Sequence, residues 1–403
     1  MEYFLIPGRH PELSAAELWA VAERDHLGAE LRETAGAIFI STDRELPAEL
    51  PSWLGGMVKF GKIIGEVSEH ELTGWLADRV VESGGRDFGI SIYHGGSAAR
   101  FKNLGLEVKR VLRERGIKSR WVSSREPTLS AVVVQKNGLI RTGIEFCLFA
   151  DGQRISVGQT TDVQAFEEFS FRDYGRPRRD IRSGMLPVKL ARMLINLSRT
   201  PRNGILLDPF CGSGTIVTEA AILGFRQVIG GDLEKRAVED TAENVGWTSR
   251  NLDISKTSVR ILQSPAEEID RALENTKVDG IATEPYLGPP LRGRERPADI
   301  EKIVRELSIL YVKSFAAIRN VLTPGAAVAA VFPVFRSGNR ELPLPVLEDL
   351  KKLGFLPAPL LPPGLDVKMT ARGSLIYQRP DQRVLREVFL FKTSSLDNTL
   401  KKG

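Results

Sequence analysis

Cysteine and histidine are scarce in this chain. Only two cysteines, Cys147 and Cys211, occur among 403 residues. They cannot build a disulfide framework, and no Cys-x-x-Cys pair or Cys/His cluster offers a zinc site. The four histidines, His10, His26, His70 and His94, all fall in the first quarter. The 309 residues after His94 contain none. That void excludes a Ser-His-Asp triad, a histidine base and a histidine-held metal from most of the chain. Long apolar runs are missing too. The longest, near Ala326–Phe335, is far shorter than the ~20 residues that cross a bilayer. The opening MEYFLIPGRH lacks the basic-then-apolar layout of a secretory signal. A cytoplasmic protein with no membrane partner and no bound metal is expected.

What is present is ordinary in amount and uneven in placement. Hydrophobic residues make up 42% and charged residues 27%, as in soluble globular proteins, and the length suits two to three domains. The net charge is +5, yet residues 1–70 carry 6 basic and 12 acidic residues, so the remainder nets +11. The densest basic stretch runs from Arg172 through Arg176, Arg178 and Arg179 to Arg182. Such asymmetry suits a polyanion partner, because each Lys or Arg placed on a phosphate releases counterions. A solvated linker with incidental charge is the alternative.

Periodicity divides the chain into two small α+β units followed by an α/β domain. In residues 1–70, strand-like runs at Tyr3–Ile6, Ala37–Ile40 and Val58–Val67 flank a helical pattern over Pro11–Ala22. In residues 71–168, Phe88–Tyr93 alternates as a strand, and Lys102–Arg115 reads as a helix with Lys102, Lys109 and Arg110 on its basic side. That side could meet phosphates or simply be solvated. Leu129–Gln135 and Thr142–Phe149 read as strands joined by a hairpin at Asn137-Gly138. A basic linker is expected over 169–184 and a flexible tail over 393–403. Between them, residues 185–392 alternate strand and helix and end in an antiparallel hairpin, Leu375–Arg379 with Val384–Phe391. This predicts a doubly wound, mostly parallel sheet with its ligand site at the carboxyl ends of the strands.

The loop after the first strand of that domain carries the strongest signal. It reads Leu207-Asp208-Pro209-Phe210-Cys211-Gly212-Ser213-Gly214-Thr215. A phosphate loop would need Gly-Lys-Ser/Thr at its end, and a dinucleotide fingerprint would need a glycine where Val217 stands. An acid inside the loop would repel a pyrophosphate, whereas Asp208 suits an ammonium or sulfonium ligand. Asp232 closes the next strand 24 residues later, placed to hold ribose hydroxyls. Two acids at successive strand ends around a glycine-rich turn describe an S-adenosylmethionine site.

Asp-Pro-Phe-Cys-Gly-Ser-Gly-Thr followed by Ile-Val-Thr-Glu-Ala-Ala resembles motif I of Rossmann-fold amino-methyltransferases that act on RNA. Gly184 to Arg192, with Asn196-Leu197, resembles the segment before motif I in the tRNA guanine-10 N2-methyltransferase family. The earlier blocks are similar to that family's ferredoxin-like unit and THUMP domain, through Lys102–Gly105 and Val132–Leu139. The resemblance implies tRNA as partner and S-adenosylmethionine as cofactor. It implies cofactor contacts from Pro187, Asp208, Pro209, Phe210, Cys211, Gly212, Gly214, Thr215, Asp232 and Leu233. Gln263-Ser264-Pro265-Ala266 stands where Asp-Ala is usual, so either Ser264 or a backbone N–H near Ala266 would meet the adenine. Cys211 lies in the cofactor loop and is expected to be a small packed residue rather than a nucleophile.

The catalytic loop departs from the pattern. Such enzymes place Asp/Asn/Ser-Pro-Pro-aromatic after the fourth strand. There a side-chain oxygen and a backbone carbonyl accept the hydrogens of the target amine, and the ring stacks on the base. Here the strand Val278–Thr283 leads into Glu284-Pro285-Tyr286-Leu287-Gly288. An ungapped match puts Glu284 at the acid and Pro285 at the first proline, and is preferred over a shift that would use Thr283. The catalytic set is then Glu284, Pro285 and Tyr286, with no metal and no covalent intermediate. Methylation of rRNA or of a DNA amino group, or a non-catalytic RNA-binding scaffold, are the alternatives. Arg372-Gly373-Ser374 could touch RNA or simply turn the chain.

Overall fold

The architecture comes from a computed structural model that describes residues 1–84, 86–93, 98–151, 154–179, 185–338, 340–365, 367–380 and 382–393. His94, Arg182, Gly184, Asp381 and the expected tail from 394 onward lie outside the described residues.

Apolar runs of strand length give the described part of residues 1–163 eight strands: β1 (Glu2–Pro7), β2 (Ala29–Thr34), β3 (Ala37–Thr42), β4 (Met57–Ser68), β5 (Asp87–Tyr93), β6 (Arg120–Val122), β7 (Ile144–Asp151) and β8 (Arg154–Val163). They form one sheet in the order β2-β3-β1-β4-β8-β7-β5-β6. The sheet continues across residue 70, because β4 pairs antiparallel with β8 with Lys62 opposite Gln159. Helices α1 (Pro11–Arg24), α2 (Leu50–Trp53), α3 (Glu69–Glu82), α4 (Leu104–Glu114) and α5 (Ala131–Lys136) accompany it. At its centre Lys59 and Glu145 form a buried ion pair, and Glu145 also accepts from Ser91 Oγ and Thr160 Oγ1, each at 2.6 Å.

The expected strand at Leu129–Gln135 is a correction. The β-branched Val132-Val133-Val134 favours strand, but Ser130 caps a helix there by accepting the Val133 N–H at 3.2 Å. Asn137-Gly138 ends that helix instead of turning a hairpin: Gly138 adopts φ +66°, the left-handed conformation that closes helices.

Residues 169–174 of the expected linker are helical. The linker opens inside α6 (Phe166–Tyr174), which packs against α7 (Val188–Leu197). Pro187, with ψ 138°, stands just before α7 as its N-cap. The helix therefore begins at Val188, directly after that proline.

Among its described residues the last domain has nine strands: β9 (Ile205–Asp208), β10 (Gln227–Asp232), β11 (Ser258–Gln263), β12 (Val278–Thr283), β13 (Leu322–Ser337), β14 (Arg340–Pro343), β15 (Phe355–Pro357), β16 (Leu375–Tyr377) and β17 (Val384–Thr393). The order is β11-β10-β9-β12-β13-β17-β15, with β14 on β13 and β16 on β17. Pairings from β11 through β13 are parallel, and β17 enters antiparallel. This is the doubly wound α/β sheet with the terminal antiparallel hairpin. Helices α8 (Thr215–Ile222), α9 (Lys235–Asn251), α10 (Ile269–Ala272), α11 (Pro297–Val321) and α12 (Leu347–Lys352) complete it. Reversal of strand order between β9 and β12 opens a crevice at their carboxyl ends, where Asp208 and Glu284 both emerge.

Helix α7 is wedged between the two halves. Leu190, Ala191, Leu194 and Leu197 are fully buried in a core shared with α1 residues Leu13, Ala16 and Val21. Each buried leucine contributes about 1.5–3 kcal/mol. Polar groups lock the same contact. Glu17 of α1 accepts from Gly55 N and Gly56 N at 2.8 Å and from Asn196 Nδ2 of α7 at 2.7 Å. Burial raises the Glu17 carboxyl above its usual range, against those three donors.

Candidate active site

Asp208 ends β9 because the strand must stop before Pro209, and the chain then turns through Gly212 (φ +53°) and Gly214 (φ +81°) into α8. Gly214 is obligatory on two counts: its φ suits glycine, and a Cβ there would meet Thr241 Cγ2 at 2.7 Å. The loop is tied down by the carboxylate of Asp232, which accepts from Gly212 N at 2.9 Å and from Glu234 N at 3.0 Å. Cys211 is buried against Thr241, and burial raises its thiol well above the usual range. It is a packed thiol rather than an activated nucleophile.

Asp208 is almost wholly buried. It accepts from Thr283 Oγ1 at 2.7 Å and from Phe210 N at 3.2 Å. Burial dominates over these two bonds and pushes its carboxyl up to about 7. An adjacent positive charge would hold it ionised.

Glu284 leaves the end of β12 and reaches Arg386 on β17. The guanidinium donates Nε to Oε1 and Nη2 to Oε2, both at 2.9 Å. This is a bidentate pair with both side chains largely buried. Tyr286 carries its ring half into solvent at 52% exposure, while its carbonyl accepts from Tyr311 Oη at 3.2 Å. Thr283 is spent on Asp208, which favours the frame that uses Glu284.

One cavity of about 590 Å³ joins these groups. Asp208, Pro209, Phe210, Cys211, Gly212 and Thr215 line it, as do Asp232 and Leu233, and so do Ala266, Glu284, Pro285 and Tyr286. Gly214 and Pro187, expected at the cofactor, are not on its lining. Of the two alternatives for the adenine contact, Ala266 lines the cavity, whereas the Ser264 hydroxyl donates to the Pro265 carbonyl. Sequence reasoning missed Met185, Leu186, Glu267 and Leu310 on the lining, and it missed Arg386. The last lies 102 residues from Glu284, and no local pattern links them. Among the described residues no group of acids, histidines and cysteines could hold a metal ion, and no helix is long and apolar enough to cross a membrane.

Two of the basic residues expected on RNA are corrected. Arg172 is 5% exposed, and its Nε donates to Glu219 Oε1 at 2.7 Å. Arg176, equally buried, donates to Thr215 Oγ1 at 2.6 Å. Both hold α6 and the segment after it against α8, so neither guanidinium faces solvent. Arg178 is exposed and bonds Glu243 at 2.6 Å. Arg179, Lys102, Lys109 and Arg110 are exposed.

Residues 176–294 match the RMKL-like methyltransferase domain family. A tRNA (guanine(10)-N2)-dimethyltransferase of Methanothermobacter thermautotrophicus is 38% identical over 105 residues, 26% of this chain and 28% of that protein. A "Probable tRNA (guanine(10)-N2)-dimethyltransferase" of Methanothermococcus thermolithotrophicus is 32% identical over 140 residues, 33% of this chain and 82% of that protein. The match thus spans about a third or less of the Methanothermobacter protein and of its Methanocaldococcus jannaschii counterpart. Among solved structures, TrmN from Thermus thermophilus superposes with TM-score 0.52 at 18% identity, covering 98% of this chain and all of that one. A possible methylase from Clostridium difficile gives 0.51 at 16% identity over the same 98%. The shared fold extends over nearly the whole chain. This chain belongs to the tRNA (guanine(10)-N2)-dimethyltransferase family.

Proposed function

We propose that the protein transfers a methyl group from S-adenosylmethionine to the exocyclic N2 amine of a guanosine in tRNA, as a cytoplasmic enzyme. The observation that carries this reading is the meeting of Asp208, Asp232 and Glu284-Pro285-Tyr286 in one cavity. The lining suits the cofactor. Asp232 keeps lone pairs free beyond its two backbone donors for ribose hydroxyls. Ala266 and Leu233 offer apolar surface to an adenine, and Asp208 complements a sulfonium. Bound there, S-adenosylmethionine supplies an electrophilic methyl carbon.

The chain's own residues do the rest. Glu284 accepts one amine hydrogen on a lone pair that Arg386 leaves free, and the Pro285 carbonyl accepts the other. Together they pull the nitrogen out of conjugation with the ring, so its lone pair can attack in line. Tyr286 offers an exposed ring for the base to stack on. Held by Asp208, Asp232 and Ala266, the cofactor would give up its methyl carbon to the amine and keep the bond electrons on its sulfur, and the surplus amine proton would pass to water. The N-terminal sheet, in the position of a THUMP-bearing region, binds the tRNA, with Lys102, Lys109, Arg110 and Arg179 among its contacts. Incubation with methyl-labelled cofactor and unmodified tRNA, followed by nucleoside mass spectrometry, tests this. N2-methylguanosine is expected, and its absence over a full tRNA pool would overturn the reading.

A further inference from the structure

A second groove, of about 780 Å³, lies where the start of α1 meets the open edge of β16. It shares no lining residue with the cofactor cavity. Its walls carry Arg9, Arg336, Lys368 and Arg379 against Glu12 and Glu341. Arg336 is partly satisfied, by Glu341 at 3.5 Å and by Gln378 Oε1 at 2.9 Å. The cations still outnumber the acids by two.

The groove does not stand alone. Arg336 N donates to the Arg383 carbonyl at 2.9 Å, at the start of β17. The Arg383 guanidinium lies against the backbone of Gly293, where a Cβ would come within 2.2 Å of it. Gly293, with φ +84°, sits in the loop just after the catalytic Glu284-Pro285-Tyr286 segment, between exposed Arg292 and Arg294. Glu295, the acid of this loop, accepts from the Arg292 and Gly293 backbone N–H groups. A run of guanidinium and ammonium groups thus leads from the catalytic loop across the β17 turn to the N-terminal half. The far wall of the groove also touches the chemistry. The His10 ring packs on Tyr377 at 4.5 Å between centroids, Tyr377 stands opposite Arg386 in the β16–β17 register, and Arg386 holds Glu284.

We infer that this track binds the phosphodiester backbone of the RNA strand next to the target nucleotide, carrying it from Arg292 and Arg294 past Arg383 and Arg336 into the groove between Arg9, Lys368 and Arg379. The inference rests on the proposed function and adds a phosphate-binding site to it. Phosphate is the ligand these groups fit. Planar guanidinium forks pair with phosphate oxygens, and spacing along an open groove suits a chain of charges rather than one anion.

The test is the salt dependence of binding. Fluorescence anisotropy with a labelled, unmodified tRNA transcript is measured over a range of NaCl for the full chain and for two double variants, Arg292→Ala with Arg294→Ala and Lys368→Ala with Arg379→Ala. Each double variant should lower the slope of log affinity against log salt by about 1.5, since each phosphate contact contributes about 0.7–0.9. Affinity at physiological salt should fall about tenfold or more. S-adenosylmethionine affinity, measured by calorimetry, should stay at the wild-type value and reports folding. Unchanged slope and affinity in both variants, with wild-type protein binding the transcript, would overturn the track while leaving the proposed function standing. It would leave the groove to an acidic protein partner. A wild-type chain that binds no RNA at any salt would overturn the proposed function and the track together.

Discussion

Glu284 and Arg386 form a two-point ion pair that joins the end of β12 to β17, with both hydrogen bonds at 2.9 Å. The motif at this position ordinarily offers a shorter side chain. The extra methylene of Glu284 would let its carboxylate wander, and the fork of Arg386 fixes it in one orientation. Arg386→Ala should therefore lower kcat by about 100-fold, in the range that misplacing a reacting group costs, with cofactor affinity kept. Arg386→Lys, which keeps the charge and loses the fork, should recover only a small part. A KM increase with kcat intact would instead mean that Arg386 binds substrate directly.

Asp208 gives the cofactor site a pH dependence. Burial lifts its carboxyl to about 7, against about 3.9 in an unfolded chain. The contribution of Asp208 to the stability of the ligand-free protein should be fully present below pH ~4 and be lost as pH rises through 7. A sulfonium beside the carboxylate reverses that preference. Affinity for S-adenosylmethionine should climb with pH and level off above about 7, while the uncharged product thioether should show a flatter profile. Thr283→Val removes a donor to Asp208 and should move the midpoint upward. Calorimetric titrations between pH 5.5 and 8.5 would reveal either result.

Glu219 joins three helices. It accepts from Arg172 of α6 at 2.7 Å and from Arg192 of α7 at 2.9 Å, and it sits on α8. The Phe169 ring lies beneath both guanidinium groups. Glu219→Gln would remove the buried counter-charge shared by both cations, leaving Arg172 only the exposed Glu168 at 3.7 Å, which costs about 3–5 kcal/mol. A large drop in the denaturant midpoint is expected. A midpoint within experimental error of the wild type would show that the cluster contributes nothing net.

The Lys59–Glu145 pair makes the same argument for the N-terminal sheet. Lys59→Met alone strands Glu145 among Ser91 and Thr160 and should destabilise by about 3 kcal/mol or more. Adding Glu145→Leu should restore part of the loss. Equal loss in single and double variants would refute the coupling.

Much of this could be read in the chain before its structure. The parallel strands are short apolar runs bounded by turns, and Asp208 and Asp232 announce themselves by closing two of them around glycines. What escaped reading depended on distance or on competing local rules. Arg386 sits beside Glu387 in a strand that Arg383 immediately precedes, and nothing near it marks it as the partner of Glu284. Arg172 and Arg176 look like a solvated basic cluster in one dimension, and only the approach of α8 turns them inward. Val132-Val133-Val134 has the composition of a strand, but Ser130 before it and Gly138 after it decide for helix. Residue 70 looks like a gap between units because a helix starts there, while strand pairing between β4 and β8 bridges it.

The buried carboxylate of Glu17 bears on whether the chain can be divided. Its three donors come from the loop before β4 and from α7. A cut before α7 would strip Glu17 of Asn196 and bare the leucines of α7 that α1 covers. Neither fragment would keep a closed interior, so the catalytic half is not a detachable cassette. Transplanting residues 185–393 onto another RNA-binding module would require carrying α1 along, or rebuilding the surface it shields.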